Sequence, residues 1–215
     1  MRRILIIDRY EIVREGLKRI LDEQAGPKVI GEAGAAPDAL KLVRERDWDM
    51  ALLDFSLGGR GGLEVLKELR RIRSKMPVLI LSMHSEEHYA RRAFKAGAAG
   101  YITKDSPRAE FAKAMDKVLG GGRYVSAALA EALSADLARG TDRPPHETLS
   151  DREFEVLRWI GLGKTVSEIA NMLSLSDKTV STYRARLLEK MDLKTSAQLI
   201  CYAIHNQLVD PLGDE

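Results

Sequence analysis

The chain has 215 residues, of which 45% are hydrophobic and 31% are charged, and this composition excludes disorder along most of its length. Its formal charge of +2 is uneven: residues 1–120 carry 23 basic and 18 acidic residues, whereas residues 148–215 carry 8 and 10. The single cysteine excludes an internal disulfide, and the four scattered histidines disfavour a zinc centre. The apolar runs are only as long as strands, and the sequence has no signal-peptide pattern, so we predict a cytoplasmic protein.

Residues 1–120 alternate short apolar runs with longer amphipathic stretches. This alternation is typical of βα units that build a parallel sheet covered on both faces. We therefore predict an α/β domain with a (βα)5, flavodoxin-like order. Its strands are predicted around residues 4–7, 29–30, 50–53, 78–81 and 101–102.

The second half of the chain has a different pattern of apolar residues, without strand-like runs. Three glycines, 120–122, end the last predicted helix, and a helix-like run at 127–138 precedes a breaker-rich stretch at 139–145. Three capping boxes then predict helices that begin after Ser150, Thr165 and Thr195, and a fourth helix begins near Ser176. We expect an α/β domain at 1–120, a linker with a short helix at 121–147, and an all-α four-helix domain at 148–215.

Four polar residues follow the predicted strands: Asp8, Asp54, Ser82 and Lys104. Each alone is more often a cap, a turn residue or a solvated lysine. Together they would meet at one edge of a parallel sheet, where ligands bind. Two carboxylates, a hydroxyl and an ammonium group suit a phosphoryl site with a nucleophilic aspartate and Mg²⁺.

Several segments carry a family resemblance, which covers nearly the whole chain outside the linker. The segments at 4–8, 51–54, 79–84 and 95–104 resemble the receiver domain of bacterial two-component response regulators. The segments at 149–157 and 179–191 resemble a LuxR-type helix-turn-helix. The chain as a whole is similar to the NarL/FixJ class, which implies a DNA-binding transcriptional response regulator and not an enzyme.

The resemblance assigns roles in the first half. It makes Asp54 the phosphoacceptor, Ser82 the switch hydroxyl, Lys104 the phosphoryl-contacting lysine and Tyr101 the aromatic switch. For Tyr101, simple packing at a sheet edge is an equally good interpretation. The metal ligands implied are Asp8, Asp54 and the backbone carbonyl of Ser56, and His84 would flank the phosphoryl group with Ser56.

One residue departs from this pattern. The family ends its first strand with two adjacent acidic residues, whereas here Arg9 follows Asp8. A guanidinium group cannot bind a metal, so we expect the Mg²⁺ site to be weak or absent. Two hypotheses stay open. Either Asp54 is phosphorylated with Arg9 supplying positive charge, or Arg9 pairs with Asp54 or Asp8 and regulation is independent of phosphate; an exposed Arg9 without a role is the third interpretation.

A second departure lies in the loop after Asp54, which reads Leu57-Gly-Gly-Arg-Gly-Gly62. We expect these glycines to keep the loop mobile and Arg60 to add a cation near the site.

In the second half, residues 165–173 form the expected supporting helix, 174–176 the turn and 177–190 the recognition helix. By family position, the residues nearest the bases are Ser181, Thr182 and Ala185. Candidates for phosphate or flanking contacts are Lys164, Lys178, Thr179, Tyr183, Arg184, Arg186 and Lys190. The last helix resembles the family's dimer surface through Leu199, Ile200, Tyr202 and Ala203, although packing onto the domain's own core is the simpler interpretation.

The expected partners are double-stranded DNA, a sensor histidine kinase and a second copy of the chain on DNA, with no membrane contact. Two other function classes are less favoured. A phosphatase-like enzyme with Asp54 as nucleophile lacks a second catalytic aspartate, because position 56 is a serine. A small-molecule-sensing LuxR regulator would need a ligand cavity in place of the phosphoryl-site domain.

Overall fold

The computed structural model describes residues 1–23, 26, 28–57, 61–83, 86–131 and 144–209. The chain divides into two units, Met1–Asp136 and Leu137–Glu215. Most of the breaker-rich stretch of the expected linker, together with Arg60 and His84, lies outside the described residues. Within the described part, no helix is long and apolar enough to cross a membrane.

A parallel five-stranded sheet forms the centre of the first unit. Its strands are β1 (Arg2–Ile7), β2 (Lys28–Ala33), β3 (Met50–Asp54), β4 (Val78–Ser82) and β5 (Gly100–Thr103). They lie in the order β2-β1-β3-β4-β5. Every residue of β3 and β4 is buried, as expected for strands covered on both faces. The predicted (βα)5, flavodoxin-like architecture is confirmed.

Helices follow the strands of this sheet along the chain. They are α1 (Glu11–Asp22), α2 (Ala36–Glu45), α3 (Gly62–Ile72), α4 (Glu86–Lys95) and α5 (Arg108–Leu119). Residues 127–131 are also helical. Tyr124, beyond α5, is buried and its hydroxyl donates to Glu110 at 2.7 Å, so the chain continues to pack against this unit after the triple glycine.

The second unit is helical. A short 3-10 turn at Pro145–Thr148 precedes α6 (Asp151–Gly161), α7 (Val166–Leu173), α8 (Asp177–Lys190) and α9 (Ser196–His205). All three predicted capping boxes form, at the starts of α6, α7 and α9. The side chain of Ser176 caps α8 by accepting a hydrogen bond from the Thr179 backbone N–H at 3.1 Å.

The turn between α7 and α8 fixes how these two helices meet. Ser174 ends α7 in the left-handed conformation, with φ of +54°, and the Leu175 N–H then donates back to the Ala170 carbonyl at 2.8 Å. Leu173 and Val180 on either side of this turn are buried. The arrangement is that of a helix-turn-helix, in which α8 is the second helix.

Candidate functional site

The four strand-end residues meet at one edge of the sheet, as the sequence predicts. Asp8 follows β1, Asp54 and Ser82 end β3 and β4, and Lys104 follows β5. Asp8, Asp54 and Ser82 are at most 2% exposed. The backbone N–H of Lys104 donates to the Ser82 carbonyl at 2.7 Å, which fixes the start of the lysine side chain beside the two carboxylates.

The ammonium group of Lys104 contacts the carboxylates of both Asp8 and Asp54. The Nζ atom of Lys104 lies 2.7 Å from Oδ2 of Asp8 and 2.9 Å from Oδ1 of Asp54. The other oxygen of Asp8 accepts a hydrogen bond from the Tyr10 backbone N–H at 2.8 Å. The Oδ2 atom of Asp54 is buried and has no hydrogen-bond partner among the described residues. Within the described residues, Lys104 therefore contacts one carboxylate oxygen of Asp54, and the other makes no hydrogen bond.

The pKa values of Asp54 and Lys104 are shifted because two buried carboxylates share one ammonium group. Burial, together with the neighbouring Asp8 charge, raises the pKa of Asp54 despite the Lys104 ammonium and a hydrogen bond from the Ser56 backbone. Burial alone would lower the pKa of Lys104, but Asp54 and Asp8 outweigh it and raise that pKa. The result is a charged lysine opposite an aspartate of increased basicity, which suits attack on a phosphoryl group.

Arg9 does not join this group. Its side chain is exposed, and its guanidinium group stacks over the ring of Tyr10, with the central carbon 4.3 Å from the ring centre. It also donates a hydrogen bond to the Tyr10 hydroxyl. In the described part of the chain, Lys104 and not Arg9 pairs with Asp8 and Asp54. The hypothesis that Arg9 pairs with either carboxylate therefore differs from the structure, because the adjacent aromatic ring holds the guanidinium group.

The oxygen donors for a Mg²⁺ ion at this edge lack one carboxylate that the family pattern places after Asp8. Receiver domains commonly bind Mg²⁺, and the oxygen donors available here are Asp8, Asp54 and the Ser56 carbonyl. No group of three or more histidine, cysteine, aspartate or glutamate side chains suited to a metal occurs in the described ranges. Position 9, where the family pattern has a further carboxylate, is an exposed arginine that has no oxygen ligand to offer and whose guanidinium group lies over Tyr10.

Three aromatic rings pack together next to Asp54. Tyr101 is fully buried, and its ring centre lies 6.4 Å from that of Phe55. Phe55 follows Asp54 and also packs edge-on against Tyr89, at 4.7 Å between ring centres. The side chain of Tyr101 is therefore inside the domain, where it packs against Phe55, the residue after Asp54. No motif in the sequence predicts a role for Phe55.

The exposed face of α8 carries the residues expected nearest to DNA bases, Ser181, Thr182 and Ala185. Val180 and Leu187 on the opposite face are fully buried. The other candidates for DNA contacts are also accessible: Lys164, Lys178, Arg184, Arg186 and Lys190 are exposed, and Thr179 and Tyr183 are half-buried.

Lys190 has a role that the sequence did not predict. Its Nζ atom lies 2.8 Å from Oε2 of Glu153, whose side chain is 3% exposed. The same carboxylate closes the capping box of α6, because the Ser150 backbone N–H and hydroxyl both donate to it at 2.8 Å. The capping pattern predicts the Ser150 contact. Nothing local indicates a partner 37 residues away.

Two of the four residues expected at a dimer surface are internal. Leu199 and Ala203 are fully buried and belong to the core of their own domain. Gly161 of α6 comes so close to Ala203 that a Cβ atom added at Gly161 would lie 2.7 Å from the Ala203 methyl group. Ile200 and Tyr202 are half-buried, and the Tyr202 hydroxyl lies 2.9 Å from Nδ1 of His146. Only these two of the four retain accessible surface.

Taken together, a parallel sheet with an acidic, lysine-containing edge and a helix-turn-helix unit define a receiver joined to a DNA-binding domain. Two family profiles match accordingly: "Response regulator receiver domain" over residues 4–116 and "Bacterial regulatory proteins, luxR family" over residues 147–203. The chain belongs to the NarL/FixJ response regulators and is a DNA-binding transcriptional regulator of a two-component system. Members of this class are typically not enzymes.

Similar proteins span nearly the full length of the chain. The response regulator UvrY of Escherichia coli K12 is 34% identical over 206 residues, which are 95% of this chain and 94% of UvrY. The response regulator GacA of Pseudomonas aeruginosa is 34% identical over 211 residues, 98% of this chain and 99% of GacA.

Solved structures support the fold. A LuxR-family response regulator from Aurantimonas sp. SI85-9A1 is 36% identical, with a TM-score of 0.60 over 63% of this chain and 97% of that protein. Salmonella RcsB, solved on promoter rprA with BeF3⁻, is 22% identical, with a TM-score of 0.67 over 94% of this chain and 97% of RcsB. At that identity, the likeness to RcsB shows a shared fold alone.

Proposed function

We propose that phosphorylation of Asp54 controls DNA binding by this regulator. The observation that carries the proposal is the buried Oδ2 atom of Asp54, which lacks a hydrogen-bond partner within the described residues while Lys104 holds the other oxygen. A phosphoryl group transferred to Oδ2 would add negative charge beside Lys104. The ammonium group of Lys104 would stabilise that charge. A sensor histidine kinase is the expected donor in a two-component system.

The test is labelling of the full-length protein with acetyl phosphate. Intact mass should increase by one phosphoryl group in the wild type and in the control Asp105→Asn, which removes an exposed carboxylate next to Lys104. The variant Asp54→Asn should not be labelled. Equal labelling of Asp54→Asn and wild type would overturn the proposal. So would labelling of the wild type that leaves its affinity for DNA unchanged.

The proposed site works with little or no bound Mg²⁺. Support comes from the incomplete donor set and from Arg9, which stands after Asp8 where a second carboxylate is expected. Labelling of the wild type should be insensitive to EDTA. The variant Arg9→Asp should gain Mg²⁺ dependence, because it adds an oxygen ligand. Complete loss of wild-type labelling in EDTA would contradict this part of the proposal.

For the second domain, we propose that α8 enters the major groove and that cations around it contact phosphates. Support comes from the exposure of Lys178 and Arg186 on the same side as Thr182. The whole region 164–194 holds six basic and four acidic residues, so its charge excess is small. Binding as a homodimer on an inverted repeat would double the number of phosphate contacts. Ile200 and Tyr202 are the proposed contact residues of α9.

Sedimentation of the protein on duplex DNA tests the dimer. Two copies per duplex are expected for the wild type, and Ile200→Asp should reduce this to one copy with weaker binding. The control Cys201→Ser changes the neighbouring exposed side chain and should leave two copies bound. A single wild-type copy per duplex would rule out the dimer.

A further inference from the structure

The outward face of α8 combines small side chains with flanking cations. Ser181, Thr182 and Ala185 are exposed there. Lys178 lies one turn before Thr182 and Arg186 one turn after it, and both are exposed. None of the three small side chains has the amide or guanidinium group that reads adenine or guanine by two hydrogen bonds. What they can offer a base is a methyl group or a hydroxyl group.

The hydroxyl group of Thr182 is engaged within the helix. Its Oγ1 atom donates to the backbone carbonyl of Lys178 at 2.9 Å. Because the hydroxyl proton is already donated within the helix, it is not free to donate to a base. The γ-methyl group is the apolar part of this exposed side chain. Ala185 is three residues further on, which places its Cβ methyl group about 5–6 Å from the Cβ atom of Thr182 on the same face. We call these two methyl groups the methyl patch.

Thymine is the base that matches such a surface. In the major groove each base pair shows hydrogen-bonding groups, and thymine alone adds a C5-methyl group. Alanine and threonine methyl groups recognise it by apolar contact. We propose that the methyl patch of Thr182 and Ala185 reads thymine in each half of the DNA site. This inference rests on the DNA interface proposed above for α8.

The experiment begins with selection of sequences by the full-length wild-type protein from a randomised duplex pool. Each thymine of the selected duplex is then replaced by uracil, which removes the C5-methyl group and keeps the hydrogen-bonding pattern. We expect one or two positions per half-site at which uracil weakens binding about fourfold, equivalent to about 0.8 kcal/mol for one buried methyl group. Uracil elsewhere should have no effect.

Two variants separate the methyl group from the hydroxyl group. Thr182→Val keeps a methyl group and removes the hydroxyl, so the uracil effect should persist. Thr182→Ser keeps the hydroxyl and removes the γ-methyl, so uracil should no longer weaken binding at the thymine that Thr182 contacts, whereas a thymine contacted by Ala185 keeps its uracil effect. Position 182 is exposed, and circular dichroism of each variant verifies that it is folded.

Two results would overturn the inference. The first is an absence of any uracil-sensitive position in the selected duplex. The second is a uracil effect that survives in Thr182→Ser and disappears in Thr182→Val, which would assign the reading to the hydroxyl group. Failure of the wild type to enrich any sequence would contradict the DNA interface itself, and this result is visible before any thymine is replaced.

Discussion

The ammonium group of Lys190, at the end of α8, lies 2.8 Å from a carboxylate oxygen of the buried Glu153 at the start of α6. This pair joins the end of α8 to the capping box of α6, in addition to the packing of Val180 and Leu187. A lysine at the edge of a DNA-binding helix is more commonly expected to contact a phosphate. Here its ammonium group already neutralises an internal carboxylate.

Lys190→Ala should therefore act on stability. Removing the ammonium group leaves Glu153 buried with only its Ser150 hydrogen bonds, and the free energy of unfolding should fall by about 1 to 2 kcal/mol, since Lys190 itself is partly exposed. Urea unfolding followed by Trp159 fluorescence in a Trp48→Phe background reports on this domain, because the chain has two tryptophans, one in each unit.

The matched control is Lys178→Ala, an exposed lysine at the other end of the helix. It should change stability by less than about 0.5 kcal/mol. It should instead reduce by about one the slope of log affinity for DNA against log salt concentration. If Lys190→Ala leaves the unfolding midpoint unchanged and lowers only the salt slope, the structural role of Lys190 is refuted.

The effect of Lys190→Ala should also depend on pH. Burial alone would raise the pKa of Glu153, but hydrogen bonds from Lys190 and Ser150 outweigh burial and hold that pKa below its usual value. A depressed carboxyl pKa stabilises the fold above the unfolded value of about 4.3, and this stabilisation is lost as the pH falls through the folded value.

Urea midpoints of the wild type and Lys190→Ala should differ at pH 7 and converge below about pH 4. The pair Glu153→Gln and Glu153→Gln/Lys190→Ala provides the control, because an amide in place of the carboxylate should make the difference independent of pH. An undiminished difference at low pH in the wild-type background would show that packing of the lysine stem, and not charge, is responsible.

The sequence predicts well those features that depend on neighbours along the chain. The strands, the polar residues that follow them and the three capping boxes were all found by local spacing, and each is present. The pairing of Lys190 with Glu153 depends on how α6 and α8 pack against each other. The periodicity of apolar residues in the sequence does not predict that packing. The same limit applies to Arg9: its charge is visible in the sequence, but its stacking on Tyr10 is decided by side-chain geometry.

Lys104 should stabilise the receiver by neutralising two buried acids. Lys104→Met leaves Asp8 and Asp54 together without their ammonium group, and we expect a loss of about 3 kcal/mol or more. In an Asp54→Asn background the loss should be smaller by at least about 1 kcal/mol, since one of the two charges is gone. Urea unfolding followed by Trp48 fluorescence in a Trp159→Phe background measures all four corners of this cycle.

Lys113→Met is the control for Lys104→Met, because Lys113 is an exposed lysine on α5. It should leave the unfolding midpoint near that of the wild type. Equal losses from Lys104→Met with and without Asp54→Asn would argue against a shared ammonium group.

Gly62 lies very close to Phe55, the residue after Asp54. Gly62 begins α3, and its N–H donates to the Phe55 carbonyl at 3.0 Å. A Cβ atom at position 62 would lie 2.5 Å from that carbonyl oxygen and 2.7 Å from the Phe55 Cα atom. The glycine is therefore required by lack of space, whereas the sequence analysis had linked the glycines of this loop to mobility.

Gly62→Ala should force the backbone at Phe55 to move, at a cost in stability of about 1 to 3 kcal/mol, and should slow the labelling of Asp54 by acetyl phosphate. Gly16→Ala is the matched control, because a Cβ atom in the middle of α1 meets no atom within 4 Å. It should stabilise the receiver by up to about 1 kcal/mol, since alanine is the better helix former. If both alanine variants raise the unfolding midpoint and are labelled at the wild-type rate, the contact between Gly62 and Phe55 does not constrain the acceptor loop.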